Sequence, residues 1–382
     1  MYQQLRKSVL FFSLPLFWAG SLLSQTKSQL KYENSQVYAG IEVGSKGVKM
    51  SILEIGKNAK KTGAFNVLKD TAVNTDFISF TPTSFGATVK GFSQLYQVAV
   101  NEFAIPPSRI FTMVSSGVKM QAEKDNRVSW IGQLADSFRL RIGDPQRTVD
   151  IIDVMGEAKL SHLGIVPESR RYTTFLIDIG SGNTKGGYFP NGNTNTLRLF
   201  ELTWGTKTIN NATVKRCEED NSITNYNRQL TRVLAGDPNN EIVYAVNASG
   251  AYEMSDYIAI SGGIAWSVAN YISPELIENS VVPVTYADVL AFSERIFKEY
   301  ETLNADQIIA DIKDPLLDKK IIRSELKKVN QVFDQRALMA GTGLLLKIMR
   351  QFEGIYEKKQ FYLVKNGQVG WISAYVDQQI NK

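Results

Sequence analysis

Two segments of the chain repeat one pattern, which consists of an apolar run, a carboxylate, a Gly-Ser turn and a strand-like run. The copies are IEVGSKGVK at residues 41–49 and IDIGSGNTK at residues 177–185. Glycine allows a tight turn and a close approach of the backbone to a ligand, and successive amides in such a turn form a concave anion site. One copy alone is typical of an ordinary β-hairpin. Two copies, each opening a separate half of the chain, predict two half-clefts that face one phosphorylated ligand.

The two turns contain most of the candidate ligand-binding residues. A carboxylate beside phosphate needs a cation or a water to orient, so Glu42 and Asp178, which precede the turns, are the candidate metal ligands. The predicted phosphate-binding residues are Gly44, Ser45, Lys46, Gly180, Ser181, Gly182, Asn183, Thr184 and Lys185.

Composition excludes several other classes of protein. With 382 residues, of which 43% are hydrophobic and 21% charged, the chain is globular and long enough for two domains. A net charge of +5 is too small to indicate nucleic acid binding, which requires Lys and Arg clustered on one face. The single cysteine, Cys217, excludes a disulfide framework and a Cys-based zinc site. The single histidine, His162, is expected on a helix face rather than in catalysis.

The N-terminal residues follow the arrangement of a secretory signal peptide, in which basic residues precede an apolar core and small residues. Arg6 and Lys7 precede an uncharged stretch at residues 8–26, whose apolar core is short and is followed by small residues. We expect removal of residues 1–25, which predicts a periplasmic or secreted protein with no stable membrane anchor. The alternative is an uncleaved anchor, but Pro15 and the short apolar core weigh against it, because a membrane span needs about 20 apolar residues.

Strand-like and helix-like segments alternate along the chain, which favours α/β layers. Polar turns at strand ends are where such folds bind ligands, and Gly262 and Gly263 form one such turn after the apolar stretch 257–261. Each half of the chain begins with one repeated turn. We therefore expect two domains at residues 37–170 and 171–382, with C-terminal helices that could cross back to the first.

Residues 154–165 (VMGEAKLSHLGI) lie between the two turns and resemble a motif of the exopolyphosphatase/guanosine pentaphosphate phosphatase (Ppx/GppA) family, Gly-Glu-Ala-Arg-Leu-x-x-x-Gly-Val. This family is part of the actin-like ATPase superfamily. The run DIGSGNT at residues 178–184 resembles the family's second phosphate motif. The resemblance implies an α/β fold of two actin-like (ribonuclease H-like) domains with a phosphate-binding cleft between them.

The resemblance also implies roles for individual residues. Glu157 matches the family's catalytic base, which would activate a water for attack on the terminal phosphorus of polyphosphate or of a phosphorylated nucleotide. The two carboxylates before the turns would hold a divalent metal, expected to be Mg²⁺. Lys119, Gly262 and Gly263 would complete the cleft. Without the flanking motif, Glu157 would be interpreted as a helix-start carboxylate that favours the positive end of the helix dipole.

The sequence departs from the family pattern at three positions in the expected cleft. Glu42 stands where the family has Asp, and Met120, with Lys119 before it, stands where the family has Arg. Lys185 replaces a Glu and reverses the charge at a position associated with divalent metal. A lysine there either contacts phosphate as a point charge or ends metal-dependent chemistry.

Two functions therefore follow from the sequence. The first is an exported phosphohydrolase of the Ppx/GppA type, which cleaves terminal phosphoanhydride bonds with Glu157 as base. The alternative is a catalytically weakened relative that binds a phosphorylated ligand or acts as a scaffold for a protein partner. A homodimer is compatible with both.

Overall fold

The computed structural model describes residues 30–56, 65–251, 255–353, 358–365 and 367–380. The predicted signal peptide lies outside these residues. The described strands are β1 Gln36–Val43, β2 Gly47–Ile55, β3 Phe65–Asn74, β4 Ile110–Val114, β5 Asp150–Ile151, β6 Thr174–Ile179, β7 Thr184–Tyr188, β8 Arg198–Leu202, β9 Tyr257–Ser261, β10 Val281–Val284 and β11 Gln360–Val364.

Helices surround the strands and complete an α/β fold. The described helices are α1 Pro82–Asn101, α2 Ser116–Lys124, α3 Val128–Ile142, α4 Val154–Ile165, α5 Thr206–Cys217, α6 Ile223–Ala235, α7 Asp237–Ser249, α8 Gly263–Ile272, α9 Tyr286–Lys298, α10 Ala305–Asp311, α11 Lys319–Val332, α12 Gln335–Glu353 and α13 Gly367–Ile380. Among the residues that the structure describes, no helix is both long enough and apolar enough to cross a bilayer.

The strands form two sheets with a repeated topology. The first sheet has the order β3-β2-β1-β4-β5 and the second β10-β11-β9-β6-β7-β8. In both, an antiparallel three-stranded meander (β1-β2-β3 or β6-β7-β8) continues into parallel strands on the other side of its first strand. The central strands β1 and β6 are buried on both faces over most of their length, as their apolar composition requires.

The two repeated turns connect matching strands in matching register. In the first hairpin Glu42 lies opposite Lys49, and the Gly44 N–H donates to the Gly47 carbonyl at 2.8 Å. In the second hairpin Asp178 lies opposite Lys185, and the Gly180 N–H donates to the Asn183 carbonyl at 3.0 Å. The sequence repeat is thus a structural repeat, in which each half places one carboxylate beside one lysine at the base of its turn.

Helix α13, at the end of the chain, packs against α4 and against the first sheet. Ile372 of α13 occupies the space beside Gly40 in β1, since a Cβ at Gly40 would lie 2.2 Å from its side chain. The backbones of α4 and α13 meet at Gly164 and Gly370, and a Cβ at Gly164 would lie 2.0 Å from the Gly370 carbonyl oxygen. The C-terminal segment therefore contacts the half of the molecule that contains the first turn.

Candidate functional site

The two turns lie against each other, in one cleft between the two sheets. A Cβ at Gly182 would lie 2.4 Å from the Ser45 hydroxyl oxygen, so the two turns are in contact at this position. A Cβ at Gly117, at the start of α2, would lie 3.1 Å from the same hydroxyl and 2.9 Å from the Asn183 side-chain oxygen. Ser45 is therefore enclosed by the second turn and by the start of α2.

This contact predicts that Gly182→Ala lowers the free energy of unfolding by about 1–3 kcal/mol, because the added methyl group meets Ser45 in a packed interface. The same change in a Ser45→Gly background should lower the free energy of unfolding much less, because the side chain that the added methyl group meets is absent. Gly132→Ala is the matched control, because nothing lies within 4 Å of a Cβ at Gly132 in α3. Urea unfolding of the four variants measures these differences, and an equal cost in both backgrounds would show that the turns are apart in solution.

Helix α4 carries Glu157 into the cleft. Asp153 caps the helix, because its side chain accepts a hydrogen bond from the Gly156 N–H at 2.6 Å. Glu157 lies in the first turn of α4, as a helix-start carboxylate would, but its side chain is buried and reaches across to α2. There one carboxylate oxygen accepts a hydrogen bond from the Ser116 N–H at 2.7 Å.

Lys185 lies at the centre of the cleft and joins two carboxylates. Its ammonium is 2.8 Å from the second oxygen of Glu157 and 3.1 Å from an oxygen of Asp178. The other Asp178 oxygen accepts a hydrogen bond from the Ser261 hydroxyl at 2.9 Å. Burial by itself would lower the pKa of Lys185, but the charges of Glu157 and Asp178 and the hydrogen bonds they accept raise it above its usual value. The ammonium is therefore charged at any physiological pH.

Glu42 is buried in the same cluster with one oxygen, Oε2, that has no hydrogen-bond partner among the described residues. Burial raises the pKa of Glu42 to about 7. The positive charge of Lys49 opposes this shift, as does that of Lys185, while the negative charges of Glu157 and Asp178 add to it. Near neutral pH, Glu42 therefore exists in both protonation states.

The cluster does not fit a divalent metal. Mg²⁺ requires several oxygen ligands in octahedral geometry, and the Lys185 ammonium occupies the position between the carboxylates that would supply them. In the described ranges, no group of three or more His, Cys, Asp or Glu side chains is arranged to hold a metal ion. The expected role of Glu42 and Asp178 as Mg²⁺ ligands thus disagrees with this arrangement.

Other predicted site residues have different surroundings. The side-chain amide of Asn183 donates to the Met120 sulfur at 3.2 Å, so Met120 does lie at the cleft. Thr184 is buried and donates its hydroxyl hydrogen to the Trp204 carbonyl at 2.7 Å. Lys119 is partly exposed and lies 4.0 Å from Glu123 one helical turn later.

The predicted glycines are close to the backbone of the second hairpin. Gly262 has a φ of +99°, and a Cβ there would lie 2.1 Å from the Ile179 carbonyl oxygen, so only glycine fits. Gly263 begins α8 and faces the ring of Phe333 instead of the turns. The Gly180 and Ser181 carbonyls accept hydrogen bonds from the first residues of α5, which places the start of this helix beside the second turn.

Three residues of the site were not among the sequence candidates, namely Ser116, Gly117 and Ser261. Each lies just after, or at the end of, a parallel strand, β4 or β9. The only signal in the sequence was their position at strand ends, where α/β folds bind ligands. A cavity of about 200 Å³ lies elsewhere, between α6, α9 and α12, and contains none of the site residues.

Solved structures share this fold over nearly their whole length. A Ppx/GppA family member from Aquifex aeolicus has a TM-score of 0.59 at 13% identity, covering 91% of this chain and 99% of that one. An exopolyphosphatase from Cytophaga hutchinsonii has a TM-score of 0.55 at 13% identity, covering 90% and 98%. An exopolyphosphatase-like protein has a TM-score of 0.57 at 13% identity, covering 90% and 100%. No family model matches the chain, and no curated protein matches it.

The two sheets and the cleft between them form an α/β fold of two actin-like domains. This is the fold of the Ppx/GppA structures. The short motifs around the two turns thus predicted the fold correctly, even though overall identity to these structures is only 13%.

Proposed function

We propose that this chain is an exported Ppx/GppA-type protein that binds a phosphorylated ligand at its two turns without a divalent metal, and that hydrolyses it weakly or not at all. The observation that carries the proposal is the Lys185 ammonium between Glu157 and Asp178. A general base must accept a hydrogen bond from the water that it activates. Each oxygen of Glu157 already accepts one, from Lys185 or from the Ser116 N–H, so a water competes with these two donors for the carboxylate.

The ligand class follows from the turns and from the fold. Gly-Ser turns with adjacent amides suit phosphate oxygens, and Lys185 supplies as a point charge part of the neutralisation that a metal would supply. The similar structures include an exopolyphosphatase and an exopolyphosphatase-like protein, which supports polyphosphate as the ligand. The resemblance of residues 154–165 to the Ppx/GppA motif supports a phosphorylated nucleotide as the other candidate. Two basic residues, Arg6 and Lys7, precede an uncharged stretch with an apolar core at residues 8–26. This arrangement supports export to the periplasm or beyond the cell.

The test is calorimetric titration of the purified protein with inorganic diphosphate and with a short polyphosphate, in EDTA and in Mg²⁺, alongside a phosphate-release assay. We expect binding in EDTA and no release above background with Mg²⁺ or Mn²⁺. Lys185→Glu, which restores the family's carboxylate, should weaken binding in EDTA and make it depend on Mg²⁺. Equal binding by both proteins under both conditions would show that Lys185 takes no part.

A second candidate, the hydrolase, is favoured by one observation. Glu157 and Glu42 are two buried carboxyl groups in one cleft, and the pKa of Glu42 is raised by burial to about 7, as acid-base catalysis requires. If the protein does release phosphate, Glu157→Gln should reduce the rate by about 10²–10⁴-fold. Such a loss would establish the hydrolase and refute the proposed loss of catalysis.

A further inference from the structure

Two lysines cross between the halves of the molecule at the rim of the cleft, in opposite directions. Lys46 belongs to the first turn, and its ammonium donates to the Val332 carbonyl at the end of α11 and lies 5.2 Å from the centre of the Phe333 ring. Lys207, in the first turn of α5, forms an ion pair with Asp76, which follows β3. Each lysine thus contacts the half of the molecule to which it does not belong.

The backbone holds these residues next to the two phosphate turns. The Asp76 N–H donates to the Lys46 carbonyl at 3.2 Å, so Asp76 is attached to the first turn. The Lys207 N–H donates to the Ser181 carbonyl at 2.9 Å, so Lys207 is attached to the second. Burial lowers the pKa of Lys207, and the positive charge of Lys46 lowers it further. A lysine with a lowered pKa favours a nearby anion, and Asp76 supplies one to Lys207.

The exposure of the Asp76 side chain bears on whether another anion can take its place. The backbone of Asp76 is left-handed, with φ 55° and ψ 45°, a conformation that aspartate adopts more readily than most residues other than glycine. The Asp76 side chain is about half exposed, at 53%, whereas that of Lys207 is 24% exposed. The carboxylate is therefore presented to Lys207 from the solvent side, where another anion could replace it.

We propose that Lys207 forms a second anion subsite at the rim of the cleft, which Asp76 occupies until an outer anionic group of the ligand displaces it. This inference rests on the proposed function, because it extends the same cleft by one anionic position. A ligand with two linked phosphate groups reaches both positions, and inorganic phosphate reaches one. Asp76 is thus an internal competitor, and its removal should strengthen binding, whereas removal of Lys207 should weaken it.

The test compares Asp76→Asn and Lys207→Gln with the unchanged protein by calorimetric titration with inorganic diphosphate and inorganic phosphate. Exposed ion pairs contribute about 0.2–1 kcal/mol, so Asp76→Asn should tighten diphosphate binding by a factor of about 1.4 to 5. Lys207→Gln removes a charged hydrogen bond to the ligand and should weaken it about tenfold or more. Binding of inorganic phosphate should change little in either variant. Asp136→Asn, which breaks the surface pair with Arg139, is the matched control.

Opposite signs for the two variants support the subsite, because a purely structural ion pair would affect both alike. Equal weakening by both variants would mean that the pair only holds the halves together, and would overturn the inference. Diphosphate binding that neither variant changes would also overturn it, while leaving the proposed function intact. If the unchanged protein binds neither diphosphate nor phosphate, the proposed function fails and the subsite with it. Urea unfolding of each variant separates a loss of binding from a loss of folding.

Discussion

Lys185→Met is expected to lower the free energy of unfolding by about 3–5 kcal/mol, the range observed when one partner of a buried ion pair is removed. The change leaves Glu157 and Asp178 buried beside each other with no positive charge between them. Methionine nearly preserves the volume of the lysine stem, so lost packing contributes little. Urea unfolding followed by circular dichroism at pH 7 measures the difference.

The control is Lys298→Met, which breaks a pair with Glu294 in which both side chains are more than half exposed. Its cost should stay below about 1 kcal/mol, because surface ion pairs contribute little.

The response of thermal stability to a divalent cation should also distinguish Lys185→Met from the unchanged protein. If Lys185 stands in the place of a metal, Mg²⁺ raises the unfolding midpoint of Lys185→Met, whereas the unchanged protein does not respond. Near-equal stability of Lys185→Met and the unchanged protein would show that the buried pair does not exist in solution.

The second large effect is the pH dependence of stability, to which two buried groups contribute in opposite directions. The pKa of Glu42 is raised by burial from 4.5 to about 7, so the folded state holds this proton more tightly than the unfolded state. Acidification from pH 7 to pH 5 therefore stabilises the fold through Glu42. Burial lowers the pKa of His162 from 6.5 to about 4, so the unfolded state takes up this proton first. The same acidification destabilises the fold through His162. At 1.36 kcal/mol per pKa unit, each effect is about 2 kcal/mol.

Single variants separate the two contributions. His162 is the only histidine of the chain, and its Nε2 lies 3.0 Å from the Thr174 carbonyl, so His162→Gln removes the titration and keeps a donor of similar reach. This variant should gain about 2 kcal/mol relative to the unchanged protein between pH 7 and pH 5, and Glu42→Gln should lose as much. Urea unfolding at both pH values tests this. Parallel pH curves for all three proteins would refute both shifts.

The fold could be predicted because its signals are local. Glycine turns, adjacent carboxylates and the motif around Glu157 are each contained in about ten residues, as short-range backbone chemistry dictates. Contacts between the halves had no such signal. Nothing near Ser45 in sequence indicates Gly182, and nothing near Asp76 indicates Lys207, because these pairs form only when the two sheets come together.

Strand alternation explains which residues of the second hairpin reach the cleft. Successive side chains in a strand point to opposite faces, so Thr184 cannot face the cleft when Lys185 does. Lys185 is buried and its ammonium lies in the cleft beside Glu157. The cross-strand partner of Asp178 is the signal that sequence reasoning missed, since a four-residue turn puts Lys185 directly opposite.

The last helix was difficult to predict for a different reason. The apolar stretch at residues 369–376 follows a turn after β11, as the second strand of a hairpin would, yet it forms α13. Trp371, Ile372, Tyr375 and Val376 are buried in one cluster with the first sheet and α4. Their spacing follows a helical period, and only packing against the distant half of the chain selects it.

The matched registers of the two hairpins have a consequence for charge balance. One hairpin contributes Glu42 opposite Lys49 and the other contributes Asp178 opposite Lys185, so each of these two pairs has no net charge when both of its groups are ionised. Glu157 has no counterpart in the repeat and adds a single negative charge, which the uptake of one proton by Glu42 cancels. The interior of this cleft therefore reaches net neutrality from its own side chains, so a phosphate that contacts Lys185 there adds net negative charge, which the cations at the rim balance.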